Sequence, residues 1–361
     1  MLRLIAMRLL LMIPTLFAIS VLSFTIIQLP PGDFAESMVA NMQSMGDLAD
    51  ESQIEELRQR YGLDLPMHER YIKWMGGVLR GDLGQSLEWG RAVNSLVLER
   101  LPATLFVTVA GLIFVWAIGI PIGVYSATHK NSLGDYGFTI LGYIGISVPG
   151  FLLAIIIMYA FFLQTGETRY GLFSEEYALV PWSITAPDAS LPDDAGWVDR
   201  INFAIDSIDA GAVKRSVGKF FDLLKHLWIP GLLAGLAGTA GIIRTMRANL
   251  LDELGKPYVT VARAKGLGET RLLYKYPFRI ACNPVVSTIG WVLPRLIGGQ
   301  LLVSIVLGIP TLAPIMLSAL LNQDMYLAAS IIMIQSCLAV VGTLISDLLL
   351  AWVDPRIRES L

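Results

Sequence analysis

Long runs of apolar residues alternate along the chain with charged segments. Uncharged runs extend from Leu9 to Leu29, from Leu101 to Thr128, from Tyr136 to Gly166 and from Leu227 to Ile243. A helix of about 20 apolar residues is long enough to cross the hydrocarbon core of a bilayer. These runs therefore predict four membrane-spanning helices, and the last of them is expected to continue to about residue 250.

Two more spans are predicted in the C-terminal third. Between Ile280 and Gln323 the only charged residue is Arg295, and two prolines near the end of this run predict a break or a re-entrant stretch after a helix over 280–304. A sixth helix is expected over 325–350. The predicted fold class is all-α, a polytopic membrane protein with six transmembrane helices.

The N-terminal run admits two interpretations. Arg3 and Arg8 precede it, as in a signal peptide, but the run is 21 residues long and no small-residue cleavage site follows it. An uncleaved first membrane helix over residues 1–29 is the preferred interpretation.

Lysine and arginine are distributed unevenly among the connecting segments. The segment from Arg244 to Arg279 carries eight of them against three acids, whereas the loops over 30–100 and 167–226 are acidic. Because basic loops stay in the cytoplasm, both termini are predicted to be cytoplasmic and the two acidic loops to be large periplasmic loops. The predicted domains are a first membrane helix (1–29), a loop with short helices (30–100) and a membrane core (101–361). The core includes a periplasmic insertion (167–226) and a cytoplasmic segment (251–279).

Two helices are predicted within the external loops. A short helix is expected over 53–61, ending at Gly62. Between Val198 and Leu224, apolar residues recur at helical spacing. This second helix either lies on the outer membrane surface or over the pore, or packs within the external part without touching lipid.

Composition limits the chemistry. The formal net charge of −3 gives no case for nucleic-acid binding. Cys282 and Cys337 both lie in apolar runs, which indicates neither a disulfide framework nor a metal site. The chain contains no phosphate-binding loop, no H-E-x-x-H and no C-x-x-C motif. We therefore expect no catalytic residue, no cofactor and no metal in this chain, so that energy for any work must come from a partner or a gradient.

The basic segment contains the most informative motif. Gly255 and Pro257 predict the end of one helix, and a second short helix is expected from Tyr258 to Leu267. Small residues alternate there with cations, in the order Ala262, Arg263, Ala264, Lys265 and Gly266. Small side chains permit close approach to a protein partner, whereas a basic loop resting on anionic lipid is the equally weighted alternative.

Short motifs occur in a recognisable order along nearly the whole chain. They are Pro14–Thr15, Pro31–Asp33, Tyr61–Pro66, Tyr71 with Trp74, Gly81–Ser86, Leu101–Thr104, Ser147–Phe151, His226–Pro230, Tyr258–Leu267, Asp347 and Asp354–Arg358. Their order and spacing resemble those of the inner-membrane permease subunits of ABC importers in the dipeptide/oligopeptide/nickel group.

This resemblance implies a type I ABC importer permease fold in the bacterial inner membrane, with membrane lipid around it. It implies a paralogous permease subunit as heterodimer partner, two ATP-binding subunits or one fused ATPase that hold ATP and Mg, and a periplasmic solute-binding protein. The solute would be a peptide or a similar molecule such as an oligosaccharide or opine. The residues that the resemblance assigns to coupling with the ATPase are Tyr258, Ala262, Arg263, Ala264, Lys265, Gly266 and Leu267. A stand-alone gradient-driven transporter or channel is the alternative function.

Further candidates lie in the last third of the chain. A cation within a membrane helix costs about 2.5–3.5 kcal/mol on insertion scales, so Arg295 is expected either to contact a carboxylate-bearing solute in the pathway or to pair with the partner permease. Ser304 stands where the family has a glutamate and is a second pathway candidate. Asp347, Asp354 and Arg356 are expected to be structural.

Overall fold

The computed structural model describes residues 2–30, 32–44, 54–56, 58–59, 62–166, 171–180, 182 and 210–353. Within these ranges every regular element is a helix, which confirms the predicted helical class, and a single β-bridge joins Gln85 to Ala92. The predictions for Pro31, for residues 198–209, and for Asp354 and Arg356 lie outside the described residues.

The helices with described bounds follow one another along the whole chain. They are α1 (Leu2–Ile27), α2 (Phe34–Ser44), α3 (Met67–Val78), α4 (Val93–Thr128), α5 (Leu133–Ser147), α6 (Gly150–Thr165), α7 (Glu175–Ala178), α8 (Ala210–Leu254), α9 (Pro257–Ala264), α10 (Glu269–Lys275), α11 (Pro277–Ser287), α12 (Ile289–Gly299), α13 (Leu301–Val306), α14 (Leu312–Leu321) and α15 (Met325–Val353). The short helix predicted before Gly62 is present at residues 54–56 and 58–59, and Gly62 ends it with a φ of 65°.

Three helices are long and apolar enough to cross a membrane in the described part of the chain, namely α1, α4 and α15. Two bent segments bring the number to five if each is one span: α5 with α6, bent by 99°, and α8, whose two halves meet at 61°. The membrane class is therefore supported by length and composition, and the first and last predicted spans agree closely with α1 and α15.

The prediction of one continuous helix over 136–166 is wrong. The chain leaves the helical conformation at Val148, with φ −88° and ψ 121°, and Pro149 precedes the first residue of α6. Proline lacks an N–H and disfavours the helical conformation of the residue before it. The break is therefore encoded locally by Pro149.

The predicted fifth helix over 280–304 is also divided. Residues 277–306 form α11, α12 and α13, each too short to span a bilayer by itself. The backbone stays in the right-handed helical region at Thr288 and Gln300, so the segment is an interrupted helix rather than a hairpin. Gly298 and Gly299 weaken the helix at the second interruption.

Two helices are longer than their uncharged runs. The second span begins at Val93 rather than at Leu101, and α8 begins at Ala210 rather than at Leu227. The second half of the predicted amphipathic helix is thereby the start of α8. An uncharged run reports the part of a helix that lies in the membrane, and charged residues outside the bilayer extend the helix without interrupting it.

The longest packed interface joins α4 to α8 through glycines. A Cβ atom at Gly119 would lie 2.9 Å from Ile242 Cγ2, and one at Gly123 would lie 2.7 Å from Met246 Cβ. Membrane helices lack a hydrophobic driving force toward each other, so small residues that allow close backbone contact hold them together. This interface positions the C-terminal half of α8, which leads into the basic segment.

At the opposite end of the molecule, the first loop folds over α1 and α15. Trp74 is only 3% exposed, stacks on Phe24 at a centroid distance of 5.4 Å, and donates its indole N–H to Ser330 Oγ at 3.3 Å. The Tyr71 hydroxyl lies 2.8 Å from Ser20 Oγ. The aromatic pair of the first loop therefore belongs to the core of this end.

A buried carboxylate attaches the same loop to the start of α15. Asp324 is fully buried; its Oδ2 accepts hydrogen bonds from Ser86 Oγ at 2.5 Å and from the Glu88 N–H at 3.1 Å. Its Oδ1 accepts from the Leu327 N–H at 3.2 Å, which caps the helix. Ser86, the serine of the G-D-L-G-Q-S motif, thus forms a tertiary hydrogen bond with Asp324 that no local sequence pattern predicts.

Candidate functional site

The predicted coupling segment forms a separate short helix, α9, between the long helix α8 and the short helix α10. After α8 ends at Leu254, Lys256 is extended and Pro257 occupies the first helical position of α9, where its missing N–H costs nothing. Val259 and Leu272 are each 1% exposed and anchor α9 and α10 to the rest of the chain. One face of the segment is therefore packed against the rest of the subunit, and the opposite face is exposed.

Gly266 ends α9 in a left-handed conformation. Its φ is 79°, its N–H donates to Arg263 O at 2.9 Å, and the Leu267 N–H donates to Ala262 O at 3.4 Å. This pattern is the glycine-dependent helix end known as the Schellman motif. A Cβ at Gly266 would meet nothing within 4 Å, so within this subunit the glycine is required by backbone conformation and not by packing.

Two of the predicted coupling residues are engaged within the chain. The Tyr258 hydroxyl donates to Glu253 Oε2 at 2.7 Å, and burial together with this bond raises the tyrosine pKa. Arg263 donates to both carboxylate oxygens of Glu269, at 2.5 Å and 3.1 Å, which lowers the pKa of that exposed carboxyl. Lys256 also pairs with Glu253. These contacts set the orientation of α9 relative to α8 and α10.

The exposed part of α9 and of the turn after it combines small and apolar groups with two cations, Arg263, which is paired with Glu269, and Lys265. Ala264, Lys265 and Gly266 are exposed, whereas Ala262 and Leu267 are half-buried. Val261, which the sequence reasoning did not select, is 54% exposed. Its position three residues before Ala264, on the same face of a helix, was the signal that could have identified it.

A bidentate ion pair supports this segment from the adjoining helix. Arg247 in α8 donates from Nε to Asp135 Oδ1 at 3.0 Å and from Nη2 to Asp135 Oδ2 at 2.8 Å. The Asp135 side chain is 4% exposed, and Oδ2 also accepts from the Asn131 N–H at 3.0 Å. The turn between α4 and α5 is thereby fastened to α8 ten residues before Pro257. Neither residue is among the site candidates that the sequence predicts.

Asp347, which is predicted to be structural, lies in the last turns of α15. Arg8 Nε lies 2.8 Å from Asp347 Oδ2, so the start of α1 and the last turns of α15 are joined. Beside it, Ser346 Oγ donates to Val286 O of α11 at 3.1 Å. These contacts are consistent with the predicted structural role of Asp347, which remains a prediction.

The two pathway candidates occupy different environments. Arg295 is exposed and lines a cleft of about 520 Å³ together with residues of α6, α8, α12 and α13. Ser304 is 2% exposed, accepts a hydrogen bond from Thr311 Oγ1 at 2.9 Å, and does not line this cleft. The position of Ser304 therefore gives no support to the predicted contact with solute, because its hydroxyl is enclosed by its own subunit.

The apolar helices, which are long enough to cross a membrane, define the class as a multi-pass membrane protein. The family model described as binding-protein-dependent transport system inner membrane component matches residues 119–359, and the model of the N-terminal part of such components matches residues 1–108. The chain belongs to this family. It is a membrane permease component of a transport system rather than a catalytic subunit.

Similar proteins extend over the whole chain. The oligopeptide transport system permease protein AppB of Bacillus subtilis is 33% identical over 352 residues, which are 97% of this chain and 98% of the relative. The dipeptide transport system permease protein DppB of Escherichia coli K12 is 31% identical over 360 residues, the full length of both chains. The di/tripeptide transport system permease protein DppB of Pseudomonas aeruginosa is 29% identical, again over the full length of both.

Proposed function

We propose that this chain forms half of the translocation pathway of an ATP-driven importer of peptides or similar solutes, and that α9 receives movement from a cytoplasmic ATPase. The observation that carries the proposal is the exposed face of α9, with Val261, Ala264 and Lys265 presented outward while Val259 anchors the helix. Such a helix transmits force as a rigid body, because its back and both of its ends are held. A lipid contact does not require that support.

The assembly we propose contains a paralogous permease subunit, two ATP-binding subunits or one fused ATPase, and a periplasmic solute-binding protein. ATP and Mg are bound by the ATPase. Six spans result if α1, α4, the bent pair α5–α6, α8, the interrupted segment 277–306 and α15 each cross once. The Arg8–Asp347 pair supports this count, because an even number of spans returns both termini to the same side. The basic character of Arg244–Arg279 favours the cytoplasm for that side.

The coupling role is tested by enlarging one exposed side chain of α9. Ala264→Trp keeps a helix-compatible residue and touches no buried group, so the isolated subunit retains its thermal stability. In the reconstituted complex we expect uptake per ATP hydrolysed to fall at least tenfold, because the helix no longer seats in the ATPase. Ala264→Ser, which stays small, is the matched control and leaves coupling unchanged. Normal coupled uptake by Ala264→Trp would contradict the proposal.

Substitution of Gly266 is a less direct test, because every L-residue is strained at its φ of 79°. Gly266→Ala reports that strain alone, since the added Cβ meets open space within this subunit. A larger loss of coupling in Gly266→Trp than in Gly266→Ala therefore isolates the steric effect at the ATPase.

The alternative function, a gradient-driven transporter or channel, predicts solute flux in liposomes that contain this chain alone. The importer instead requires a second permease, an ATPase and a binding protein, and it should co-purify with the first two. The named solutes of the relatives favour peptides, and uptake competition among peptides, oligosaccharides and opines identifies the class for this chain.

A further inference from the structure

Two interrupted helical segments and one bent helix meet at the cleft that contains Arg295. The break between α5 and α6 contributes Pro149 and Gly150, and the bend of α8 contributes Leu233, Ala234 and Gly238. The junction of α12 and α13 contributes Gly298, Gly299 and Leu301. The segments are close together, because a Cβ at Gly150 would lie 3.4 Å from Val303 Cγ2 and 3.7 Å from Leu233 O.

Such convergence has a physical meaning in a membrane protein. A continuous helix satisfies its own backbone hydrogen bonds, whereas each interruption releases N–H and carbonyl groups that lipid cannot solvate. Interrupted backbone is tolerated where it is enclosed by protein or lines a hydrated cavity, and discontinuous membrane helices mark solute sites in transporters of other folds. Two interruptions and one bend around a cleft of about 520 Å³ indicate a binding place for a polar group of the transported solute.

The charge in this cleft is positive and is not neutralised by the described part of the subunit. Arg8 pairs with Asp347 and Arg247 with Asp135. For Arg295, in contrast, the described residues include no acid within ion-pair distance. An arginine stays protonated at any physiological pH. The first turn of α6, which starts at Gly150, adds the positive end of a helix dipole to the lining of the same cleft.

We propose that this cleft binds the carboxylate of the transported solute, with the Arg295 guanidinium donating two parallel hydrogen bonds to it. A guanidinium matches a carboxylate in a bidentate geometry that a lysine cannot reproduce. The remaining lining, including Phe151, Val292 and Leu302, is apolar and accepts side chains of varied shape without selecting one. The inference rests on the proposed importer function and specifies its solutes as small molecules with a free carboxylate, such as peptides with an unblocked C-terminus.

The test uses the complete transporter in proteoliposomes, with its binding protein, and two probes: tri-alanine and its C-terminal amide. Binding-protein affinity for each probe and ATPase stimulation by the loaded binding protein are measured separately. We expect Arg295→Gln to lower tri-alanine uptake at least tenfold and ATPase stimulation by a smaller factor, Arg295→Lys to retain part of the uptake, and any uptake of the amide to be insensitive to both substitutions.

Three results would overturn the inference. The first is full tri-alanine uptake by Arg295→Gln. The second is loss of co-purification with the second permease in Arg295→Gln that Arg295→Lys restores along with full uptake, which would assign the residue to a structural pair between subunits. The third is a wild-type complex that transports uncharged oligosaccharides and no free peptide. Absence of any ATP-dependent uptake by the wild-type complex would instead refute the proposed function itself.

Discussion

The ion pair between Asp135 and Arg247 offers the most specific test of how the basic segment is held. Arg247→Met retains most of the side-chain length and removes the charge, so that Asp135 remains buried with its backbone donor but without a cation. Asp135→Asn removes the acid instead, and the double variant removes both charges. The exposed Arg271 of α10 supplies a matched control, Arg271→Met.

The expected magnitude follows from the burial of the two partners. Removing one member of a buried ion pair costs about 3–5 kcal/mol, because the other charge is left without compensation. The Arg247 side chain is 31% exposed and that of Asp135 4%, so water screens part of the interaction and the expected cost of Arg247→Met is about 2–3 kcal/mol. The double variant leaves no buried charge, and its cost should fall short of the summed single costs by about 1–2 kcal/mol.

The assay is denaturant-induced unfolding of the purified subunit in detergent micelles, for the wild type, both single variants, the double variant and Arg271→Met. The control should change the free energy of unfolding by less than about 0.5 kcal/mol. In the assembled transporter, Arg247→Met should also lower uptake per ATP, because α8 leads directly into α9. Costs that add within about 0.5 kcal/mol, or equal effects of Arg247→Met and Arg271→Met, would refute the reasoning.

Two further predictions concern packing and use the same unfolding assay. Gly123→Ala places a Cβ 2.7 Å from Met246 Cβ, so the α4–α8 interface must separate at a cost of about 1–3 kcal/mol. Gly137→Ala, whose Cβ meets nothing within 4 Å, should be neutral, and equal effects would exclude the interface as the cause. Trp74→Ala should cost about 3–5 kcal/mol because the ring is 3% exposed. Trp89→Ala, at a site 44% exposed, should cost less than half as much, and a smaller loss at Trp74 would contradict the assignment of its ring to the core.

Helix ends that depend on a few neighbouring residues are predicted correctly from the sequence. The end of α8, the start of α9 at Pro257 and the short helix before Gly62 follow from proline and glycine, whose backbone preferences do not depend on distant contacts. The break at Pro149 is equally local, but the length of the uncharged run predicts a continuous helix over 136–166, and that prediction is wrong. Hydropathy identifies the apolar segments of the chain, but it does not show whether the helix in such a segment is continuous.

Signals that depend on distant partners could not be read in the same way. Ser304 was selected for differing from the family pattern, but its hydrogen bond to Thr311 depends on how α13 and the following turn fold together. Arg247 and Asp135 are separated by 112 positions, and only their packing between α5 and α8 makes them a pair. Val261 was passed over because its exposure depends on which face of α9 its anchors turn inward.

By itself, the sequence determined the membrane class, the family and the position of the short basic helix, because hydrophobic length, motif order and proline position are all local properties of the chain. The tertiary structure decided which charges are neutralised and which are not: Asp347 and Asp135 are each paired with an arginine, whereas Arg295 lines a cleft between two helix interruptions and the bend of α8. Electrostatic energy depends on distance and burial. Both quantities are set by the packing of segments that lie far apart in the sequence.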